Sequence, residues 1–342
     1  MNTQLIVEQL NAKQEELGFF GNIRVIQNGE CIISRQYGYA NMAEKIPNKA
    51  YTRFGIASGC KIFTAISICQ LVEQGKLTFD TKLRDCLSID FPHFDPSITV
   101  HHLLTHTSGV PDYFDEDVMD DFEELWIDRP MYHIRNLKDF LPMFQYEKMV
   151  DKVGSDFNYN NTGYVLLGLI IEAVSGMIFS DYVEKHVFEV AGMNDSGYFS
   201  LDKLQANVAT GYVEEEDGTW KSNIFSIPAK GGSDGGAYVS VEDMERFWKA
   251  LMNHQLLTKT MTDTLLKPQV HEEDDFYYGY GGFMKVNDQE VIKYAQLGYD
   301  PGVNYHSVYY PNENLSIIVC SNKSSGAFDL QYIVEQALLN QE

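Results

Sequence analysis

Segments with the pattern of β-strands lie at the two ends of this 342-residue chain, and helical patterns lie between them. In chain order these segments are FGNIRVIQN, CIISRQYGYAN, YYGYGGFMKV, EVIKYAQL, NYHSVYYP and LSIIVCSN. The turns Asn28-Gly29-Glu30 and Pro311-Asn312-Glu313-Asn314 join the first pair and the last pair, and a helix is predicted from about Asp329 to Leu339. Strands at both ends can complete one sheet. We therefore expect an α+β fold with an antiparallel sheet formed by both chain ends, flanked by helices, and an inserted, mostly helical lobe.

The same distribution predicts the organisation of the chain. Residues 1–80 and 231–342 are expected to form an α/β sheet lobe and residues 81–230 a mostly helical lobe of a single domain. A content of 44% hydrophobic and 13% aromatic residues is enough for a large core. A net charge of −23 repels phosphate backbones and anionic lipid, so neither nucleic acid nor a membrane is an expected partner. A cleft between lobes usually binds a small molecule, which is the partner we expect.

Ser58 and Lys61 have the spacing of a nucleophile and its base on one helix face. The stretch that follows, KIFTAISICQLVEQGKL at 61–77, is apolar on almost every side, as in a core helix. Burial favours the neutral, proton-accepting form of an amine, and a serine hydroxyl needs such a base to attack at neutral pH. The alternative is an ordinary surface serine beside a lysine that extends to solvent. The pair alone leaves both interpretations open.

Tyr159-Asn160-Asn161 precedes a second apolar stretch, TGYVLLGLIIEAVSG, which ends at Gly176. An N-cap at Asn160 or Asn161 explains the asparagines, and a buried aromatic residue explains Tyr159. A tyrosine next to a lysine can also take part in proton transfer. Taken by itself, this motif also leaves both interpretations open.

Four segments, in this order, resemble landmarks of the serine β-lactamase and penicillin-binding-protein superfamily. They are TRFGIASGCKIFTA around Ser58, ITVHHLLTHTSGVPDY at 98–113, FNYNNTGYVLLGLIIEAVSG at 157–176 and GGAYVSVEDMERF at 235–247. The branch that they resemble contains the class C β-lactamases with their D,D-peptidase, D-aminopeptidase and esterase relatives. The resemblance implies a β-lactamase/transpeptidase-like fold.

The resemblance also implies roles for individual residues. Ser58 is the acylated nucleophile, Lys61 is its proton partner, and Tyr159 is the base that works with Lys61. Asn161 is a hydrogen-bond donor to the substrate. No cofactor and no metal are implied.

The family's third element, a Lys-Thr-Gly or His-x-Gly triplet on a strand that lines the cleft, is matched by Gln296-Leu297-Gly298. Gln296 replaces the cation that in the family helps to hold a substrate carboxylate, as in β-lactams and D-alanyl-D-alanine. Gly298 allows the substrate backbone to approach the strand closely. By resemblance, the amide of Tyr299 joins the amide of Ser58 as the oxyanion hole.

These residues predict a serine hydrolase that forms an acyl-enzyme on a small amide, ester or lactam, with carboxypeptidase, esterase or β-lactamase activity. The alternative is a non-catalytic relative that binds a ligand or a partner protein, which the neutral Gln296 and the acidic surface favour. Retention of Ser58, Lys61, Tyr159 and Asn161 together favours the enzyme. The sequence does not predict the oligomeric state.

His101, His102 and His106 lack a third ligand at metal spacing, so no metal site is predicted. The longest acidic run, DYFDEDVMDDFEELWID at 112–128, is typical of a solvated face. Alternatively it forms a lid over the cleft that disfavours anionic substrates.

The chain as given begins without the basic and apolar regions of a secretory signal, and its longest apolar run, VLLGLII, is too short to span a bilayer. Its five cysteines are an odd number without paired spacing, which suits reduced thiols. We therefore predict a cytoplasmic location; the alternative is that a leader is absent from the chain as given.

Overall fold

The structure is a computed structural model that describes residues 3–115 and 122–339. The strands of these residues are β1 (Gly21–Gln27), β2 (Glu30–Tyr37), β3 (Tyr39–Asn41), β4 (Ile46–Pro47), β5 (Phe54–Gly55), β6 (Tyr212–Glu214), β7 (Trp220–Ser222), β8 (Tyr238–Val239), β9 (Val270–His271), β10 (Phe276–Tyr278), β11 (Phe283–Asn287), β12 (Glu290–Asp300), β13 (Val303–Tyr310) and β14 (Leu315–Ser321). The α-helices are α1 (Thr3–Leu17), α2 (Lys61–Glu73), α3 (Leu83–Cys86), α4 (Val100–Leu104), α5 (Asn161–Ser175), α6 (Phe179–Val183), α7 (Glu189–Ala191), α8 (Val241–Met252), α9 (Lys259–Leu265) and α10 (Ala327–Leu339).

One antiparallel sheet combines strands from both ends of the chain, in the order β2-β1-β14-β13-β12-β11-β10-β9. Strand β1 pairs with β14, with Val25 opposite Ile317, so the first strand lies against the last one. The predicted α+β fold with a sheet shared by the two chain ends is therefore confirmed. The predicted strand CIISRQYGYAN is divided at Gly38, whose φ of 65° is in the left-handed region, into β2 and β3.

The two faces of the sheet are covered by different helices. On one face, Val25, Ile317 and Val319 pack in a core with residues of α1 and α10. On the other face, Ile318 and Cys320 join the larger core that contains α2, α5 and α8. Every residue of β14 is buried, which explains why residues 317–320, IIVC, form an apolar run without alternation.

Helices α2 and α5 pack together in the larger core, with their first residues, Lys61 and Asn161, in contact. The side chain of Asn160 accepts a hydrogen bond from the Gly163 amide at 2.7 Å, so the predicted N-cap is confirmed. Gly176 ends α5 in the left-handed region, with φ 75°. Because both helices are buried, their starting residues are held in fixed positions.

Residues 81–230 contain α3 to α7 and the short strands β6 and β7. The proposed lobe boundaries, 1–80 with 231–342 and 81–230, stay a prediction. Within the described ranges no single helix is both long and apolar enough to cross a membrane, and one bent pair, Asn161–Ser175 with Phe179–Ala191, meets that test only when its members are combined.

Candidate active site

Ser58 lies in a single 3-10 turn, Ala57–Cys60, between β5 and α2. It therefore precedes the helix that begins at Lys61 rather than sharing it, although the predicted contact of the two side chains is present. The residue before it, Ala57, has a φ of 44°, in a region that costs an L-residue about 1–2 kcal/mol. The turn is held by hydrogen bonds from Gly236 N to Ala57 O at 3.2 Å and from Gly59 N to Ile56 O at 2.8 Å. Such strain persists only where the surrounding structure enforces it, and it is concentrated at functional sites.

Lys61 lies directly beneath the Ser58 hydroxyl. Its Nζ contacts Ser58 Oγ at 2.8 Å, Asn161 Oδ1 at 2.8 Å and the Asp234 carbonyl oxygen at 2.7 Å. These three acceptors match the three N–H donors of an ammonium group. The residue is 1% exposed, so the alternative in which Lys61 extends to solvent is wrong.

Tyr159 completes this group of side chains. Lys61 Nζ lies 4.8 Å from the centroid of the Tyr159 ring. The imidazole of His106 lies 4.5 Å from the same ring, centroid to centroid, and Phe283 is parallel to it at 6.4 Å. Since Tyr159 and Ser58 also line one cavity, the structure brings together the three residues predicted to be catalytic. The catalytic role of each stays a prediction.

Asn161 is held in place by a mostly buried carboxylate, Asp112. Asp112 Oδ2 accepts from the Asn161 amide at 2.8 Å, and Oδ1 accepts from the Thr162 amide at 2.9 Å and its hydroxyl at 3.2 Å. The side-chain Nδ2 of Asn161 donates to the Phe114 carbonyl at 3.2 Å. Asn161 therefore orients Lys61 through its oxygen, while its predicted role as a donor to substrate stays a prediction.

Burial perturbs two titrating groups of the site in opposite directions. It raises the pKa of Asp112 from 3.8 to about 6 and outweighs the hydrogen bonds from Asn161 and Thr162. It also lowers the pKa of His106 well below 6.5, and the nearby charge of Lys61 adds to this effect. The imidazole is therefore neutral, and its Nδ1 accepts a hydrogen bond from the Asn160 amide at 2.9 Å.

Strand β12 runs past the nucleophile turn. A Cβ added at Gly298 would collide with the carbonyl oxygen of Ile56, so only glycine allows this approach. Gly298 and Tyr299 line a cavity together with Ser58, whereas Gln296 is 4% exposed and packs its amide against Gly282. Gln296 lies two residues before Gly298 on the same strand but is not among the described residues that line this cavity. Its role, and that of the Tyr299 amide in an oxyanion hole, stay predictions.

Two cavities meet at Ser58. The inner pocket has a volume of about 120 Å³ and includes Tyr113, Phe140 and Asp234 in its wall. The outer cavity has a volume of about 260 Å³ and includes Tyr159. A carbonyl group at Ser58 can therefore place one substituent in each cavity.

The histidines that precede the site have structural roles. His101 Nδ1 is 2.9 Å from the Tyr280 hydroxyl, and His102 forms a capping box with Thr99 at the start of α4. In residues 3–115 and 122–339, no three or more His, Cys, Asp and Glu side chains are grouped as metal ligands would be.

The acidic run at 112–128 borders the cleft on the part that is described. The rings of Phe114 and Phe122 are 4.4 Å apart, and Phe122 is 5.9 Å from the ring of Tyr299. Residues 116–121, the centre of the predicted lid, lie outside the described residues.

Three polar residues of the site are not predicted from the sequence: His106, Asp112 and Asp234. His106 and Asp112 lie inside the landmark ITVHHLLTHTSGVPDY, and Asp234 lies in the glycine-rich stretch GGSDGG. The sequence shows each of them only as a polar residue among small or apolar ones, and this pattern does not reveal which residues it contacts.

Comparison with known proteins identifies the family. A sequence profile described as Beta-lactamase matches residues 4–341. A penicillin-binding protein from Bacillus halodurans is 54% identical, and its crystal structure superposes with a TM-score of 0.93 over 96% of this chain and 100% of that chain. Penicillin-binding protein 4* of Bacillus subtilis (strain 168) is 29% identical, over 98% of this chain and 73% of its own length. The octameric penicillin-binding protein homologue from Pyrococcus abyssi is 28% identical, with a TM-score of 0.85 over 99% of this chain and 77% of that chain. The chain belongs to the beta-lactamase family.

Proposed function

We propose that the protein is a serine hydrolase that cleaves a small amide, ester or lactam through an acyl-enzyme on Ser58. The observation that carries the proposal is the 2.8 Å contact between Lys61 Nζ and Ser58 Oγ, with Lys61 buried and Ser58 partly exposed. A nucleophile within hydrogen-bond distance of a base is the arrangement that activates a hydroxyl.

The first step is attack of Ser58 Oγ on the substrate carbonyl carbon. The Ser58 proton passes to the pair formed by Lys61 and Tyr159, since a neutral Lys61 amine can accept the hydrogen bond that the ammonium donates. The amides of Ser58 and Tyr299 stabilise the negative charge that develops on the carbonyl oxygen.

Collapse of this intermediate breaks the bond to the leaving group, which takes the proton back and departs. Water then attacks the ester on Ser58, gives its proton to the same pair, and releases the acid and the free hydroxyl. In both steps the charge moves among side chains and amides that are already in position. Electrostatic interactions between such fixed groups are stronger in a buried site than in water.

Substrates that depend on a cation at the position of Gln296 are disfavoured. The amide of Gln296 is neutral and is packed against Gly282, so it offers no charge to a substrate carboxylate. We therefore propose esters and amides without that carboxylate ahead of penicillins.

Intact-mass labelling tests this function. A fluorophosphonate is expected to add one phosphonyl group to the wild type and none to Ser58→Ala. Ser67→Ala is the matched control, because Ser67 lies on α2 with its hydroxyl bonded to the Phe63 carbonyl, away from Lys61. Labelling of Ser67→Ala like the wild type is expected.

A parallel incubation with a penicillin separates the activities. An adduct with the phosphonate alone supports an esterase or amidase, and adducts with both reagents support a penicillin-recognising enzyme. Lack of both adducts on folded protein contradicts the hydrolase and supports the ligand-binding alternative.

A further inference from the structure

The inner pocket beside Ser58 is largely apolar but carries negative charge. Its wall includes the rings of Tyr113 and Phe140, and its charged residues are Asp234 and Asp300. Within the described part of the chain, no lysine, arginine or histidine lines this pocket. An anionic substituent would be repelled there, and a cationic one would be attracted.

Asp234 presents one carboxylate oxygen without a hydrogen-bond partner. The residue is 5% exposed, and its Oδ2 accepts a 2.5 Å hydrogen bond from the Tyr113 hydroxyl. Its Oδ1 is buried and has no partner among the described residues. A buried, unsatisfied acceptor is costly and uncommon, so a missing donor is the simplest explanation.

The backbone keeps this oxygen uncovered. A Cβ added at Gly232, another residue of the pocket wall, would lie 2.9 Å from Asp234 Oδ1. With glycine at this position, space remains beside the oxygen. A donor on a small ligand can therefore reach it.

The charges around the site are also compatible with a bound cation. Lys61 lies near two buried carboxylates, Asp112 and Asp234, and His106 is neutral. Burial raises the pKa of Asp234, while the charge of Lys61, the Tyr113 hydroxyl and the backbone amides of Asp234 and Gly235 lower it. A ligand cation beside this carboxylate would favour its charged form further.

Asp234 lies close to the reacting centre. Its carbonyl oxygen and Ser58 Oγ both bind Lys61 Nζ, at 2.7 and 2.8 Å. Its loop also binds the nucleophile turn through Gly236 N and Ala57 O. Asp234 and Ser58 also line the same pocket, so a ligand group bound by Asp234 lies in the pocket that opens at Ser58.

We propose that the substrate carries a primary ammonium group next to its reactive carbonyl, as in an amide or ester of an amino acid, and that Asp234 Oδ1 accepts a hydrogen bond from that ammonium. The inference rests on the proposed hydrolase function and adds the substrate class and a specificity-determining residue. The pocket volume of about 120 Å³ suits a small apolar side chain beside the ammonium, since an apolar cavity of about 150 Å³ admits benzene.

Three p-nitroanilides that differ in charge test the inference on the full chain. They are alanine p-nitroanilide, as each enantiomer, propionyl p-nitroanilide and 3-carboxypropionyl p-nitroanilide. For the better alanine enantiomer, kcat/KM is expected to exceed that of the propionyl compound by about 10- to 100-fold, the usual range for a hydrogen bond to a charged group. The carboxylate compound is expected to be the poorest substrate.

Asp234→Asn should reduce the ratio of kcat/KM for the alanine and propionyl compounds to near 1, mainly through KM. Asp217→Asn removes the same charge from an exposed turn and should keep the wild-type ratio. Tyr113→Phe leaves the Asp234 carboxylate in place and should also retain the preference. If Asp234→Asn does not fold, the comparison of the three anilides on the wild type still tests the inference.

Three results would overturn the inference: equal kcat/KM for the alanine and propionyl compounds in the wild type, a full preference in Asp234→Asn, or a preference lost in Asp300→Asn but not in Asp234→Asn. Labelling of Ser58 by the fluorophosphonate is measured in parallel, so failure of the hydrolase is seen separately. If no anilide is cleaved, protection of Ser58 from labelling by alaninamide but not by propionamide supports the inference. Equal protection by both contradicts it.

Discussion

Asp112→Asn tests which force controls the charge of the carboxylate at the start of α5. Burial favours the protonated acid, whereas hydrogen bonds from Asn161 and Thr162 and the charge of Lys61 favour the carboxylate. Burial dominates, so the pKa rises from 3.8 in the unfolded chain to about 6 in the folded one. The folded protein therefore holds this proton more tightly than the unfolded chain does.

The sign of the pH dependence follows from that difference. A raised folded-state pKa of an acid contributes stability below pH about 4, and this contribution is lost as the pH rises through about 6. A pKa difference of about 2 units corresponds to about 3 kcal/mol of unfolding free energy in total. About 2 kcal/mol of this should be lost between pH 4 and 8. His106 changes stability in the opposite direction, because its lowered pKa contributes stability that is lost as the pH falls.

The measurement is the free energy of unfolding in guanidinium chloride at pH 4, 5, 6, 7 and 8 for the wild type and Asp112→Asn. His106 is present in both proteins, so its effect cancels in their difference. The wild type should lose about 2 kcal/mol relative to the variant between pH 4 and 8. Asp95→Asn is the control, because hydrogen bonds from Ser97 lower the pKa of that exposed carboxyl below 3.8. The difference in unfolding free energy between the wild type and Asp95→Asn should therefore stay constant from pH 4 to 8.

A difference that increases in the wild type's favour as the pH rises would refute this reasoning. It would mean that the hydrogen bonds at the start of α5 and the charge of Lys61 outweigh burial. A flat difference would mean that folding leaves the Asp112 proton affinity unchanged.

Two further substitutions test the geometry around the nucleophile. Gly298→Ala places a Cβ against the Ile56 carbonyl, so it should lower the free energy of unfolding by about 1–3 kcal/mol and slow phosphonate labelling about 100-fold. Gly55→Ala is the control, because its added Cβ would have ordinary contacts, the nearest 3.5 Å away. Equal destabilisation of the two variants would contradict the steric argument. Lys61→Met removes the amine at nearly constant volume and should slow labelling of Ser58 by about 10²- to 10⁴-fold, measured as a rate by mass spectrometry. Labelling at the wild-type rate would show that Lys61 does not activate Ser58.

The sheet strands and the buried helices could be predicted from the sequence because their signals lie within short segments. The sheet strands at both ends and the buried helices α2 and α5 have long apolar signals. The spacing of Ser58 and Lys61 brings them into contact once the 3-10 turn and α2 have both formed. Strands β5 and β8 have two residues each, too few for a periodic pattern. Their pairing, which places the turn of Ser58, depends on the folded chain.

The partners of the buried carboxylates could not be predicted for a related reason. Asp112 is 49 residues from Asn161, and the carbonyl of Asp234 is 173 residues from the amine of Lys61 that it binds. No periodicity relates positions so far apart, so the sequence shows these residues only as acidic positions. The structure instead shows them as two of the charges that surround one lysine.

That arrangement links the proposed chemistry to the proposed specificity. Asp234 contacts Lys61 through its backbone carbonyl oxygen, and in the proposal it binds the substrate ammonium through its side-chain Oδ1. The residue that selects the substrate would thus also hold the base that activates Ser58, and an ammonium bound at Asp234 would fix the reactive carbonyl beside that base. Substrates without that cation should therefore be disadvantaged mainly in KM, and Asp234→Asn should reduce that KM difference.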